Sequence, residues 1–448
     1  MEFLIKAAQL FLSLSILVLL HEFGHFIPAR LFKTRVEKFY LFFNPWFSLF
    51  KKKIGDTEWG IGWLPLGGFV KISGMIDESM DKDQMALPPQ PWEFRSKPAW
   101  QRLIIMLGGV TVNVIAAFII YGCVVFSYGD DQLHPRDLQS GIAVSPALEK
   151  YGIVSGDNIL KINDAELKDV SDANVIIMLR NGVKFDVQKQ DGSKKTIQLP
   201  EDIDMELFKN GSFAPFLPRI LGVTVGEVEK GSPAFKAELK KKDEIISING
   251  KDITYYDEFQ REAFISKGKT INFQIKREKD TLDKKIFINK NWKFEGKFGF
   301  SATPGIMIDE KNYKHINYSF LQSISEGIVK GKNTLSDYIA QFKFVFTKKG
   351  AGAVGGFASI GKMFPSVWDW QVFWLNTAFI SMALAFMNIL PIPALDGGHV
   401  VFLLYEIITG KEAPQKVLEY AQYVGFFILI ALMLYANGND LLKALGWF

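Results

Sequence analysis

Ile16-Leu17-Val18-Leu19-Leu20-His21-Glu22-Phe23-Gly24-His25-Phe26 is an oily stretch that ends in three ionisable side chains. The apolar run leading into it starts at Phe3, so residues 3–26 reach the length of about 20 residues that a bilayer requires. Ionisable groups at the end of such a span are costly to keep there and mark function. Three more runs have the same character: residues 103–128, 371–390 and the shorter 421–436. The first does not read as a cleaved leader, because it lacks a basic start and a small-residue cleavage site and runs straight into His21. The expected frame is therefore an α-helical membrane protein with four transmembrane helices.

Bulk composition alone hides this. The 448 residues are 48% hydrophobic and 22% charged, values a soluble enzyme could share, but the apolar residues lie in blocks at the two ends and the charges lie in the middle. A net charge of +4 with no basic, aromatic-interleaved stripe argues against a nucleic-acid partner. The single cysteine, Cys123, forbids an internal disulfide and an all-cysteine metal site. Any metal must draw on five histidines, His21, His25, His134, His315 and His399, and on carboxylates.

Lysine and arginine set the orientation. Arg30, Lys33, Arg35, Lys38 and Lys51 to Lys53 follow the first span, and Arg95, Lys97 and Arg102 precede the second, which places residues 33–102 in the cytoplasm and both chain termini outside. That loop holds strand-like pieces at 36–42, 46–52, 57–62 and 68–73, punctuated by Leu64-Pro65-Leu66-Gly67-Gly68, and reads as a hairpin meander. Its Phe and Trp content suits the lipid–water interface. It is either a small cytoplasmic sheet or a membrane-associated β-hairpin sheet dipping in beside the site. The acidic, proline-rich residues 76–92 have no derivable role.

Between the second and third spans the chain turns soluble in character, and a weak repeat appears. Ser145-Pro146-Ala147 leads to Ile159-Leu160-Lys161-Ile162-Asn163, and Ser232-Pro233-Ala234 leads to Ile245-Ile246-Ser247-Ile248-Asn249. Two inserted α+β modules are expected, at residues 129–220 and 221–312. Residues 313–369 carry Phe320, Ile324 and Ile328 at helical spacing, which fits a helix on a membrane surface or one packed on a domain. The third span with its following motif occupies 370–399, and a cytoplasmic loop with the fourth span occupies 400–448.

The chemistry centres on His21, Glu22 and His25. Residues four apart share a helix face, so both imidazoles can reach one ion. Neutral imidazole ligates zinc, and Glu22, one residue on, stands close enough to take a proton from water beside the ion. This is the pattern of zinc peptidases. A catalytic zinc usually has three protein ligands, and the third is sought in Asn388-Ile389-Leu390-Pro391-Ile392-Pro393-Ala394-Leu395-Asp396-Gly397-Gly398-His399, where Asp396 and His399 both have ligand chemistry. Spacing does not choose between them. Asn388 could hold a substrate backbone group or bridge two helices. Gly108, Gly109 and Asn113 in the second span suggest close helix packing.

Together these motifs resemble the site-2 protease family, in its bacterial regulator-of-sigma-E form. The resemblance runs over nearly the whole chain: the His-Glu-x-x-His of the first span, Gly109-x-x-x-Asn113, two modules that look like PDZ domains, and Asn388 with Leu395-Asp396-Gly397. It implies zinc bound by His21, His25 and Asp396, Glu22 as catalytic base, and Asn388 holding the substrate. It also implies that Gly67 and Gly68 belong to a re-entrant sheet that receives the substrate as an added strand. The implied partners are single-span membrane proteins already trimmed by another protease, such as anti-sigma factors and remnant signal peptides. The implied location is the bacterial inner membrane, with the modules outside. The first module departs from the pattern, having Gly152 and Gly156 but no clear carboxylate-binding glycine loop. The competing readings are an inactive membrane scaffold that uses its PDZ-like modules, and a membrane zinc peptidase acting on soluble peptides.

Overall fold

The computed structural model describes residues 2–65, 67–75, 88–266, 268–287, 300–307 and 311–445. The acidic cluster Asp77, Glu78, Asp81 and Asp83 lies outside the described residues, as does Leu66. The chain divides into two compact units, Met1–Gly129 with Asn317–Phe448, and Asp130–Ile316.

In the first unit, four helices are long and apolar enough to cross a membrane: Glu2–Leu31, Ala99–Tyr128, Trp370–Ile389 and Gln415–Ala444. Their outer faces expose large apolar side chains, among them Phe11, Ile115, Ile119, Phe427 and Leu434, as a lipid solvent demands. The fourth helix is much longer than residues 421–436. Its polar end stays helical because it finds partners: Asp440 accepts the Gly356 and Ser359 N–H groups at 3.0 and 2.9 Å, and the Asn439 amide donates to the Ala351 carbonyl at 3.2 Å.

Small and polar residues fasten the helices, since lipid removes the hydrophobic drive between them. A Cβ on Gly24 would lie 2.4 Å from the Gly108 carbonyl oxygen, so the first two spans touch backbone to backbone. The Thr377 hydroxyl donates to Ser13 at 2.9 Å, and the Ser381 hydroxyl donates to the Asn113 carbonyl at 2.7 Å, tying the third span to the first and second.

Residues 36–72 form a four-stranded sheet, but not a meander. With β1 Val36–Leu41, β2 Phe43–Ile54, β3 Thr57–Leu64 and β4 Phe69–Ile72, the order is β2-β3-β1-β4. Only β2 and β3 make a hairpin; β1 runs parallel to β3 and antiparallel to β4. Phe42, with φ 69°, breaks the strand between β1 and β2 and lets the chain swing out to the far edge. The sheet is held to the first span by stacked rings, Phe23–Phe39 at 4.8 Å and Phe39–Trp59 at 4.6 Å. Its β2 side leaves Trp46, Phe47 and Phe50 exposed.

Helix Phe320–Val345 begins with a capping box between Ser319 and Gln322. Gly327 packs on the Gly122 backbone, while Tyr338 and Phe342 stack on Phe386 of the third span. Phe320, Leu321 and Ile324 remain exposed, so the helix is packed on two spans and still presents an apolar face.

In the second unit the weak repeat is a repeat of structure. Ser145 caps helix Pro146–Glu149 and Ser232 caps helix Pro233–Lys236. Each is followed by a strand, a short partner strand, a helix and two long antiparallel strands. Asp157 accepts the Val154 N–H at 2.9 Å, and Asp243 accepts the Lys240 N–H at 2.8 Å. Asn163 and Asn249 both turn the chain at positive φ and both accept backbone N–H groups across the sheet. Strands Asp130–Gln132 and Lys314–Ile316 pair and close the unit.

Asp243 is 1% exposed and receives two Arg277 bonds of 2.7 Å. Burial alone would raise its carboxyl, but the Arg277 guanidinium and the Lys240 N–H overcome this and hold it below the ordinary value of 3.8. A depressed folded-state value means that the stabilisation is complete above that ordinary value and is lost as pH falls through the lower one. Asp243→Asn is expected to cost about 2 kcal/mol at neutral pH. Faster hydrogen exchange of strands Glu244–Ile248 and Thr270–Arg277 in the full chain is the readout, and exchange rates equal to wild type would refute it.

Candidate metal centre and active site

His21 and His25 lie one turn apart on the first span, and the second span settles how they point. The His25 Nδ1–H donates to the Ile105 carbonyl at 2.8 Å, which leaves the Nε2 lone pair available to a metal. The two Nε2 atoms are 3.2 Å apart. Room for the rings comes from Gly109, where a Cβ would lie 2.4 Å from His25 Nε2 and 2.5 Å from His21 Cε1.

Asp396 reaches the pair because the chain breaks after the third span. The helix ends at Ile389, the Leu390–Leu395 stretch carries two prolines, and Ala394 takes φ 78°. Helix Asp396–Thr409 then starts, with Gly397 and Gly398 pressed against the Leu390 carbonyl and the Pro393 backbone, positions no side chain could share. Asp396 Oδ2 thereby stands 3.4 Å from Nε2 of both histidines. That oxygen is itself buried, and no hydrogen bond to it is made in the absence of an ion.

Those three separations form a nearly equilateral triangle. Zinc bonds of about 2.0–2.2 Å in a tetrahedron give donor–donor edges of roughly 3.3 Å, so the three atoms fit one zinc ion with a fourth position left over. Among the described residues, His21, His25 and Asp396 are the group that could hold a metal. His399 lines the same cavity without joining the group. His134 and His315 belong to the second unit.

The cavity holds about 740 Å³. Glu22, 9% exposed, lies on its wall beside the two histidines. Asn388 directs its amide at His21 Nε2 from 3.5 Å. Strand β4 also lines the cavity, and among the described residues the outer edge of β4 pairs with no other strand. Gly68 leads into it, and a Cβ there would lie 2.7 Å from Val18 Cγ1 and 2.8 Å from the Tyr40 carbonyl oxygen. Gly67 takes φ 149°, a glycine conformation, but stands outside the cavity wall.

The reading of the sequence missed Lys38, Asn44 and Gln422 on this wall. Gln422 carried a signal: an amide inside an apolar helix, 7% exposed, needs a reason. Lys38 and Asn44 carried none, since a polar residue every second position is what any half-exposed strand shows. A second cavity of about 220 Å³ shares His399 and Gln422 with the first. In it Arg102 pairs with Glu406 at 2.5 Å and with Glu412 at 3.2 Å.

The sequence profile of peptidase family M50 matches residues 9–432. A Neisseria meningitidis protein carried under a zinc-metalloprotease name is 29% identical across 97% of this chain and 98% of its own length. The regulator of sigma E protease of Haemophilus influenzae is 27% identical across 99% of this chain and all of its own length. Protease RseP of Yersinia pestis is 26% identical across 98% of this chain and 99% of its own length.

Proposed function

This chain belongs to peptidase family M50 and is a zinc metalloprotease, and from that premise we propose that it cuts single-span membrane proteins at or within the bilayer. The observation that carries the proposal is the triangle of His21 Nε2, His25 Nε2 and Asp396 Oδ2 at the end of a helix fit to cross a membrane. In this reading those three residues hold zinc and Glu22 is the base. Bound zinc supplies a Lewis acid that polarises a carbonyl and makes water acidic near neutral pH. Glu22 takes the proton from the attacking water and returns it to the leaving amine, as a positioned carboxylate can. The Asn388 amide donates to the substrate backbone.

A helical substrate keeps its carbonyls in hydrogen bonds, so it must unwind before water can attack. The free edge of β4, entered through Gly67 and Gly68, would hold it extended by strand addition. The two repeated modules read as PDZ-like domains on the outer side of a bacterial inner membrane, with both chain termini outside. The relatives' sigma E name supports anti-sigma factors, trimmed first by another protease, as the substrate class, with remnant signal peptides beside them.

The test is cleavage of a single-span model substrate by purified protein in detergent, with metal analysis of each variant. Wild type should cut within the span, stop on addition of a zinc chelator and resume with zinc. Asp396→Asn should lose both zinc and cleavage, and His399→Ala should keep both. The reverse pattern would replace Asp396 by His399 in the ligand set, and cutting confined to soluble peptides would remove the membrane substrate.

A further inference from the structure

We infer that Asn113 is a positioning residue for the metal centre, with its side-chain oxygen accepting the Nδ1 proton of His21 and fixing that ring with Nε2 toward Asp396. The inference rests on the reading of His21 as a zinc ligand. Asn113 is fully buried in the second span, and its amide lies 3.3 Å from His21 Nδ1. Nε2 is the His21 atom that faces His25 and Asp396. A neutral imidazole with a free lone pair on Nε2 carries its proton on Nδ1, so whatever faces Nδ1 must accept. Placed with Nδ2 toward the ring, the amide sets donor against donor and leaves Oδ1 buried with no partner. The two amide atoms are nearly alike in size, and the partner's chemistry decides which one faces it. Oδ1 therefore faces His21.

The surrounding backbone supports this. Ile105, Gly109 and Asn113 recur every four residues, so one face of the second span runs past both rings. On that face the Ile105 carbonyl accepts from His25. The Gly109 backbone, one turn before Asn113, also hydrogen-bonds the His21 ring. The Ser381 hydroxyl bonds the Asn113 carbonyl at 2.7 Å and pins this turn against the third span. Outer partners of this kind orient a ligand ring and raise its basicity, and losing one weakens metal binding about 10- to 100-fold.

The experiment is a chelator-competition titration of zinc on the full-length protein in detergent, alongside melting of the zinc-loaded and stripped forms. Asn113→Leu keeps the shape and removes the acceptor. It should weaken zinc about tenfold or more while the stripped protein melts as wild type does. Asn113→Asp keeps an acceptor and should hold zinc within a few-fold of wild type. Should the leucine variant not fold, Asn113→Ala carries the same expectation. Wild-type zinc affinity in the variants lacking the acceptor would overturn the inference. So would equal weakening in Asn113→Asp with a lowered melting point of the stripped protein, since that is the mark of a packing residue. His25→Ala is the control for the underlying reading: if it retains zinc, the ligand set itself is wrong, and if it loses zinc while Asn113→Leu does not, only the role of Asn113 falls.

Discussion

Glu22→Gln is expected to leave zinc bound and to reduce cleavage by about a thousandfold. The substitution changes one atom and keeps the shape, so the 9% exposed side chain should stay on the cavity wall beside His21 and His25. It is not one of the three atoms of the metal triangle, so metal content should not change. What disappears is the capacity to accept a proton from water, because an amide at this position is far too weak a base. Fragment yield from a single-span substrate and zinc per chain, measured on the same preparation, separate the two effects. Loss of cleavage with full zinc content supports the base assignment. Cleavage at the wild-type rate would remove Glu22 from the chemistry. Cleavage absent from wild type as well, even on pre-shortened substrates, would bring the scaffold reading forward.

Gly109→Ala should empty the metal site outright, weakening zinc by more than the hundredfold that loss of an outer partner costs. The added methyl carbon would sit 2.4 Å from His25 Nε2 and 2.5 Å from His21 Cε1, inside contact distance of one donor atom and of the ring that carries the other. Moving the second span away to make room would pull apart the backbone contact of Gly24 with Gly108 beside it. Both rings must turn, and the spacing of 3.2 to 3.4 Å among the three donors is lost. Gly438→Ala is the matched control: a Cβ there meets nothing within 4 Å, so helix and zinc should be unaffected. Equal zinc content in the two variants would show that the spans can separate more easily than their packing implies.

Several features were legible in the chain because they are local. Four apolar runs are counted in one dimension, and the length of a bilayer converts them into helices. His21 and His25 share a face by helical period alone. The repeat of the second unit survived in Ser-Pro-Ala and in the Asp and Asn that bond the backbone, because those side chains are tied to turn geometry rather than to a core that drifts. The ends of the fourth span were not legible, since Asn439 and Asp440 are polar residues whose carbonyl and N–H partners lie 88 and 84 residues away.

By itself the sequence determined that this protein has four helices fit for a membrane, carries a zinc-peptidase motif on the first of them, and repeats one pattern of short motifs between the second and third. Tertiary structure alone decided the rest. Spacing left Asp396 and His399 as alternative ligands, with only the family resemblance favouring Asp396, and it is the path through Pro391, Pro393 and the left-handed Ala394 that carries one carboxylate oxygen to within 3.4 Å of both imidazoles. The parallel pairing of β1 with β3, with β4 at the edge of the sheet among the described residues, joins strands distant in the chain and is not written in any local pattern. Gly109 and Asn113 looked like packing residues because side-chain size shows in a sequence, whereas what each residue faces across a helix contact does not.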